Sequence, residues 1–220
     1  MKPAHRSTLL GAIALASLGL VGCATTSPKY DYTAFRLSPP RSILVLPPIN
    51  ESTAVEGTYG YLTTVSRPLA ERGYYVFPVA VIDRLLKENG MPTAGEMHQV
   101  PLDKVREITG ADAVLYPVVH EYGTKFHVLS SDTVVNVSAR LVDTRSGALL
   151  WEGAGVAQQG SSSGQGGLLG ELVAAIVSQA INANTDRAHG VSRMANAFLF
   201  FSQGRELPAG PYHPEFGKIP

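Results

Sequence analysis

The chain of 220 residues carries 18 lysines and arginines against 18 aspartates and glutamates, and 45% of it is hydrophobic. Balanced charge excludes the basic surface that nucleic acid requires, and a single cysteine excludes an intramolecular disulfide. The fold has to rest on an apolar core, and the length suits one domain with an extension.

Lys2, His5 and Arg6 precede an apolar run from Leu9 to Val21. That run is too short to span a bilayer permanently and reads as an export signal over residues 1–22. It ends in Leu20-Val21-Gly22-Cys23, which resembles the lipobox of bacterial lipoproteins. The resemblance implies cleavage between Gly22 and Cys23 and acylation of Cys23. A lone thiol in an exported protein otherwise lacks an explanation. Ala24 follows in place of Asp, which by the bacterial sorting rule implies delivery to the outer membrane, facing the periplasm. Each buried acyl methylene contributes about 0.8 kcal/mol, so two or three chains make a lasting anchor. Without residues 1–22 the chain has 16 basic and 18 acidic residues, a net charge of −2. Residues 23–40 read as the lipidated cysteine and a flexible tether, reaching at most about 60 Å at ~3.5 Å per residue.

Residues 41–158 read as an α/β domain. Its single mixed sheet runs βαβααβ and then an antiparallel meander, with helices packed on it. Ser42-Ile43-Leu44-Val45-Leu46, closed by Pro47-Pro48, is a buried strand. Leu62, Val65 and Leu69 share a stripe of a helix over 57–72 that Gly73 ends. Tyr74 to Phe77 is a short strand, and Val81, Ile82, Leu85 and Leu86 predict a helix over 79–89 stopped by Gly90. Residues 91–100 read as a loop. Pro101 opens a helix whose Leu102, Val105 and Ile108 face inward and which Gly110 ends. Ala113 to Val119 is a third strand. Gly123-Thr124 fits a type II′ turn, which predicts one long bent strand over 125–142 with Val135, Val137, Ala139 and Leu141 on one face. Asp143 to Gly147 is a second turn, and Leu149 to Val156, with Trp151, returns as the last strand.

Residues 159–167 are a flexible Gly/Ser loop. Leu169, Leu172, Val173, Ile176 and Ile181, then Val191, Met194, Ala195, Phe198 and Leu199, keep helical spacing. Residues 168–205 are therefore expected to form a C-terminal α-helical pair, followed by a Pro-rich tail over 206–220.

In the hairpin predicted at Gly123-Thr124, His120 lies opposite His127, close enough to share a metal with Asp132. A polar pair on the solvent face is the commoner arrangement, and no HExxH supports the metal. Gly164-Gln165-Gly166-Gly167 lacks the GK[ST] of a phosphate loop and the acid of a dinucleotide fold, so it reads as a connector. Asp103 and Glu107 share a solvated helix face. No GxSxG is present and Cys23 is consumed by lipid, so the chain is expected to be no enzyme and to need no cofactor. Phe200 and Phe201 widen the stripe of the last helix and are candidates for a partner surface.

Two stretches carry a further resemblance: Ala111-Asp112-Ala113-Val114-Leu115-Tyr116, and Leu141-Val142-Asp143 with Gly147 and Trp151-Glu152-Gly153. Through them the chain resembles a family of uncharacterised Gram-negative outer-membrane lipoproteins, over most of residues 20–205. Over about 42–158 it is similar at fold level to the CsgG-like curli secretion lipoproteins and to the TolB N-terminal domain. The resemblance implies a non-catalytic accessory of envelope assembly or transport. Such a protein would act as a homo-oligomer, beside envelope proteins such as a CsgG-like lipoprotein. CsgG forms a pore from extra hairpins, but here the strands near 133–142 and 148–157 are joined by a tight turn and no such hairpin follows. The alternative is an LpoB-like activator of a peptidoglycan synthase, against which the short tether counts. A metal-dependent enzyme resting on His120 and His127 comes last.

Overall fold

A computed structural model describes residues 29–126, 131–160 and 187–219. The predicted first helix of the C-terminal pair and all but the first two residues of the Gly/Ser loop lie outside these residues; those two, Gln159 and Gly160, end the last strand. The N-terminal arm begins with helix α1 (Thr33–Leu37), followed by strands β1 (Ser42–Val45) and β2 (Ile49–Asn50). Next come helix α2 (Gly57–Glu71), strand β3 (Tyr75–Val76) and helix α3 (Val79–Glu88). Two short helices follow, α4 (Ala94–Met97) and α5 (Leu102–Thr109). The chain then forms strands β4 (Ala113–Phe126), β5 (Ser131–Asp143) and β6 (Leu149–Gly160), and helix α6 (Arg187–Phe201).

The six strands form one mixed sheet in the order β3-β1-β4-β5-β6, with β2 also paired to β4. β1 runs parallel to β3 and β4, whereas β4, β5 and β6 are antiparallel neighbours. Pro47 and Pro48 divide β1 from β2 because proline has no N–H for the ladder. Leu46 and Glu51, on either side, resume it by donating to the Leu115 and Val119 carbonyls. The fold class expected from the sequence is the one observed.

Helices cover both faces. On one, α1, α2 and α6 bury Phe35, Tyr61, Val65, Leu69, Val191 and Leu199 against Leu115, Val137, Leu141 and Trp151. On the other, α3, α4 and α5 bury Ile82, Leu86, Met97 and Val105 against Leu44, Leu46 and Val114. Gly153 and Gly155 let α6 approach β6 closely: a Cβ on Gly155 would stand 2.2 Å from the Ala195 carbonyl oxygen. At the β5–β6 turn, Gly147 has φ +70°, the left-handed conformation expected of it.

Four expectations are corrected. The hairpin predicted at Gly123-Thr124 is absent. β4 runs on to Phe126, with Gly123 opposite Val134 and Thr124 opposite Thr133. This register keeps Val135, Val137, Ala139 and Leu141 against the core face of β4, and a turn at 123–124 would break every one of those pairs. The tether is shorter than 23–40, because Tyr32 and Phe35 are fully buried in the core. The loop over 91–100 contains α4, held by a capping box in which Thr93 and Glu96 bond each other's backbone N–H. The tail after 206 is packed: Tyr74 Oη donates to the Pro208 carbonyl at 2.5 Å, and Gly210 N–H to that of Arg72 at 2.8 Å.

Candidate functional site

Two features stand out beyond the core, and β4 contributes to the first. Its apolar alternation puts Tyr116, Val118 and His120 on the face away from α2 and α6, across from Arg140 and Ser138 of β5. There His120 is hydrogen bonded on both sides, Nδ1 to Glu51 Oε2 at 2.6 Å and Nε2 to Ser138 Oγ at 2.8 Å. Glu51 reaches it because β2 pairs with β4 and delivers the next residue beside Val119. Nearby, His98 places Nε2 2.9 Å from the Pro47 carbonyl and sits edge-on to Tyr116, 5.3 Å between centroids. Burial holds the pKa of His98 below the usual histidine range, and the Pro47 contact only partly offsets it.

Carboxylate, imidazole and hydroxyl in line resemble a nucleophile with its base and orienting acid. Acyl transfer also needs free N–H donors aimed at the oxyanion. Ser138 lies in a central strand, with β4 at Val118 on one side and β6 at Ala154 on the other, so the backbone around it is spent on two ladders. The Glu51–His120 contact is also open to water, with 38% of the His120 side chain and 56% of the Glu51 side chain exposed. The trio fastens β2 to the meander, and a contact this exposed contributes no more than about 1 kcal/mol.

The proposed metal ligands are not assembled by this register. His120 stands at the bulge where Val119 faces Val137 and Glu121 faces Asn136, not opposite position 127. Asp132 is at the far end of the ladder, across from Lys125, and His127 lies outside the described residues. Among the described residues no group of three His, Cys, Asp or Glu is placed to hold a metal.

Phe200 and Phe201 part company. Phe200 is fully buried and stacks on Trp151, 5.7 Å between centroids, so it is core and not partner surface. Phe201 is 42% exposed beneath the Arg72 guanidinium, 5.2 Å from the ring centroid.

The second feature is a groove of about 450 Å³ between α3 and α5. Leu44 and Leu46 form its floor, and Ile82, Leu86, Val105 and Ile108 its walls. Ile108, expected inside, is 57% exposed at its mouth. Sequence reasoning read the groove residues as core, since periodicity marks an inward face without saying whether the helices close over it. Glu51 carried no pattern at all. Thr93-x-x-Glu96, by contrast, was a readable capping signal.

Comparison with known proteins gives the family. The sequence model described as "Putative lipoprotein GNA1162-like" matches residues 30–212. The chain is 47% identical over 196 residues to Putative lipoprotein NMB1124/NMB1162 of Neisseria meningitidis serogroup B, covering 89% of this chain and 88% of that one. The crystal structure of lipoprotein GNA1162 from Neisseria meningitidis is similar at a TM-score of 0.55 and 51% identity, over 64% of this chain and 97% of that one. The LpoB C-terminal domain from Escherichia coli is a fainter likeness, at a TM-score of 0.40 and 16% identity over 55% and 84% of the two chains. That last likeness says nothing of what this chain does. The chain belongs to the GNA1162-like lipoprotein family.

Proposed function

We propose that this GNA1162-like lipoprotein is held at the periplasmic face of the outer membrane by acyl groups on Cys23. There it works as a non-catalytic accessory of envelope assembly or transport. The observation that carries the reading is the place of the sole cysteine. Cys23 closes an apolar run and stands nine residues before Tyr32, which is buried in the core. Membership of a lipoprotein family supports it. Nine residues reach at most about 30 Å, so the folded domain works close to the membrane that holds it. That reach is too short to cross to a distant partner, which favours a neighbour in the same membrane, such as a CsgG-like lipoprotein, over a peptidoglycan synthase.

Cys23→Ala tests the anchor. The variant should remain uncleaved or be released from the outer-membrane fraction, and a variant still processed and still sedimenting with outer membranes would overturn it. Crosslinking in intact cells, followed by mild detergent extraction and mass analysis, tests the role. A homo-oligomer or a complex with a second envelope lipoprotein supports the accessory reading. A cell-wall synthase as the sole partner would replace it.

A further inference from the structure

Of the five exposed aromatic side chains among the described residues, three gather at one corner: Phe201, Tyr212 and Phe216. The corner is built on Arg72 and Gly73, where α2 ends. Arg72 covers the Phe201 ring and donates from Nε to the Leu207 carbonyl at 2.7 Å. Its own carbonyl accepts the Gly210 N–H, and the Gly73 carbonyl accepts the Tyr212 N–H at 3.1 Å. His213 lies against Gly73, and a turn closed by the Phe216 N–H on the His213 carbonyl keeps Phe216 at the same corner. The backbone that carries these rings is fixed, while the rings themselves are left open to solvent.

The N-terminal arm arrives here too. Tyr32 Oη donates to the Glu206 carbonyl at 2.7 Å, and the Arg205 guanidinium lies over the Tyr30 ring, 5.1 Å from its centroid. The flanking charges are matched, Arg205 with Glu152 at 3.7 Å and Lys218 with Glu215 at 3.5 Å. Exposed rings beside arginines that can keep their heads in water suit the level where headgroups meet acyl chains.

We propose that this corner rests on the phospholipid surface of the membrane that holds Cys23, with Phe201, Tyr212 and Phe216 entering the boundary between headgroups and acyl chains. The proposal rests on the anchored reading above, and the length of the arm selects the occupant. Nine residues separate Cys23 from Tyr32, a reach of at most about 30 Å, and Tyr32 is fastened at this corner. The anchor therefore holds this part of the domain nearest to lipid. Because the charges are matched, the contact requires no anionic lipid.

The test uses the acylated full chain in vesicles of phosphatidylcholine and phosphatidylethanolamine, with no other protein present. Acylation consumes the sole cysteine, so Gln203→Cys, exposed two residues beyond Phe201, takes a single nitroxide label. Arg84→Cys, on α3 across the sheet, carries the comparison label. The ratio of oxygen to nickel-chelate collisions rises when a label enters lipid, and it should be severalfold higher for Gln203→Cys than for Arg84→Cys. Adding Phe201→Ser and Phe216→Ser should abolish the difference, with emission of the buried Trp151 confirming that the fold is kept. Tyr212→Ser alone, at the most exposed of the three rings, should lower the ratio in the same direction. Equal ratios for the two labels, or a ratio that no serine variant moves, would overturn the proposal. So would spin–spin broadening between copies, which would give the corner to a second copy of this chain. Failure of the anchor reads out separately, as a Cys23 peptide without acyl mass, and would remove the premise and the proposal together. An acylated chain whose Gln203→Cys label stays in water leaves the anchor standing and ends this proposal alone.

Discussion

The hydroxyl of Ser38 donates to the carboxylate of Asp143 at 2.6 Å, tying the entering arm to the β5–β6 turn. The other carboxylate oxygen accepts the N–H groups of Arg145 and Ser146 and the Ser146 hydroxyl. Burial pushes the Asp143 pKa up, but these hydrogen bonds outweigh it and hold the group below the ordinary aspartate range. A carboxylate depressed in this way stabilises the fold fully above its unfolded pKa of about 3.9 and progressively less as pH falls through the lower folded value. Thermal unfolding should therefore steepen in its pH dependence below about pH 4. Asp143→Asn should flatten that limb and cost about 1–3 kcal/mol near neutrality. An acid limb identical in the variant would show that this carboxylate contributes nothing to it.

His98 predicts the opposite end of the acid range. Its pKa is lowered, chiefly by burial, so folding favours the neutral ring. Stability is complete above the unfolded pKa of about 6.5 and declines as pH falls below it. His98→Gln keeps a donor for the Pro47 carbonyl and removes the titration. The variant's melting temperature should change less than that of the parent between about pH 7 and pH 5, and titration of the ring by NMR should give a midpoint below the ordinary histidine value.

The approach of α6 to β6 leaves no room for a methyl at Gly155, where it would stand 2.6 Å from the Leu199 nitrogen. Gly155→Ala should displace the helix and cost about 1–3 kcal/mol or more, as overpacking does. Gly190, within α6, has nothing within 4 Å of a built Cβ. There Gly190→Ala should stabilise by about 0.5–1 kcal/mol through helix propensity. Denaturation of the pair separates a packing effect from a general intolerance of substitution.

Trp151 is the largest fully buried side chain, stacked on Phe200 with its indole N–H donating to the Arg205 carbonyl at 2.9 Å. Trp151→Leu leaves a cavity and an unpaired carbonyl, and should cost about 3–5 kcal/mol by denaturant midpoint. A smaller loss, under about 1 kcal/mol, would mean that α6 and the tail relax into the space.

The parallel half of the sheet was legible because Ile43, Leu44 and Val45 form an unbroken apolar run, and because glycines at 73, 90 and 110 punctuate the helices, all with positive φ. The β4–β5 hairpin was not. Gly123 also has positive φ, at +108°, but within a paired strand, and local turn chemistry could not outvote a register fixed by the core. The site suffered the same way. His120 was legible as a polar residue on an open face, yet its partners come from β2 and β5, and only tertiary pairing brings Glu51 and Ser138 to it. Phe200 and Phe201 are adjacent in sequence, and the Trp151 ring on one side of α6 decides which of them is buried.

The Tyr32 hydroxyl donates to the Glu206 carbonyl at 2.7 Å, and Arg72 Nε to that of Leu207. The arm that is made first thus closes on a segment made 174 residues later. A growing chain cannot complete this fold until residues 206–210 have left the ribosome, and contacts so distant in sequence slow the search even then.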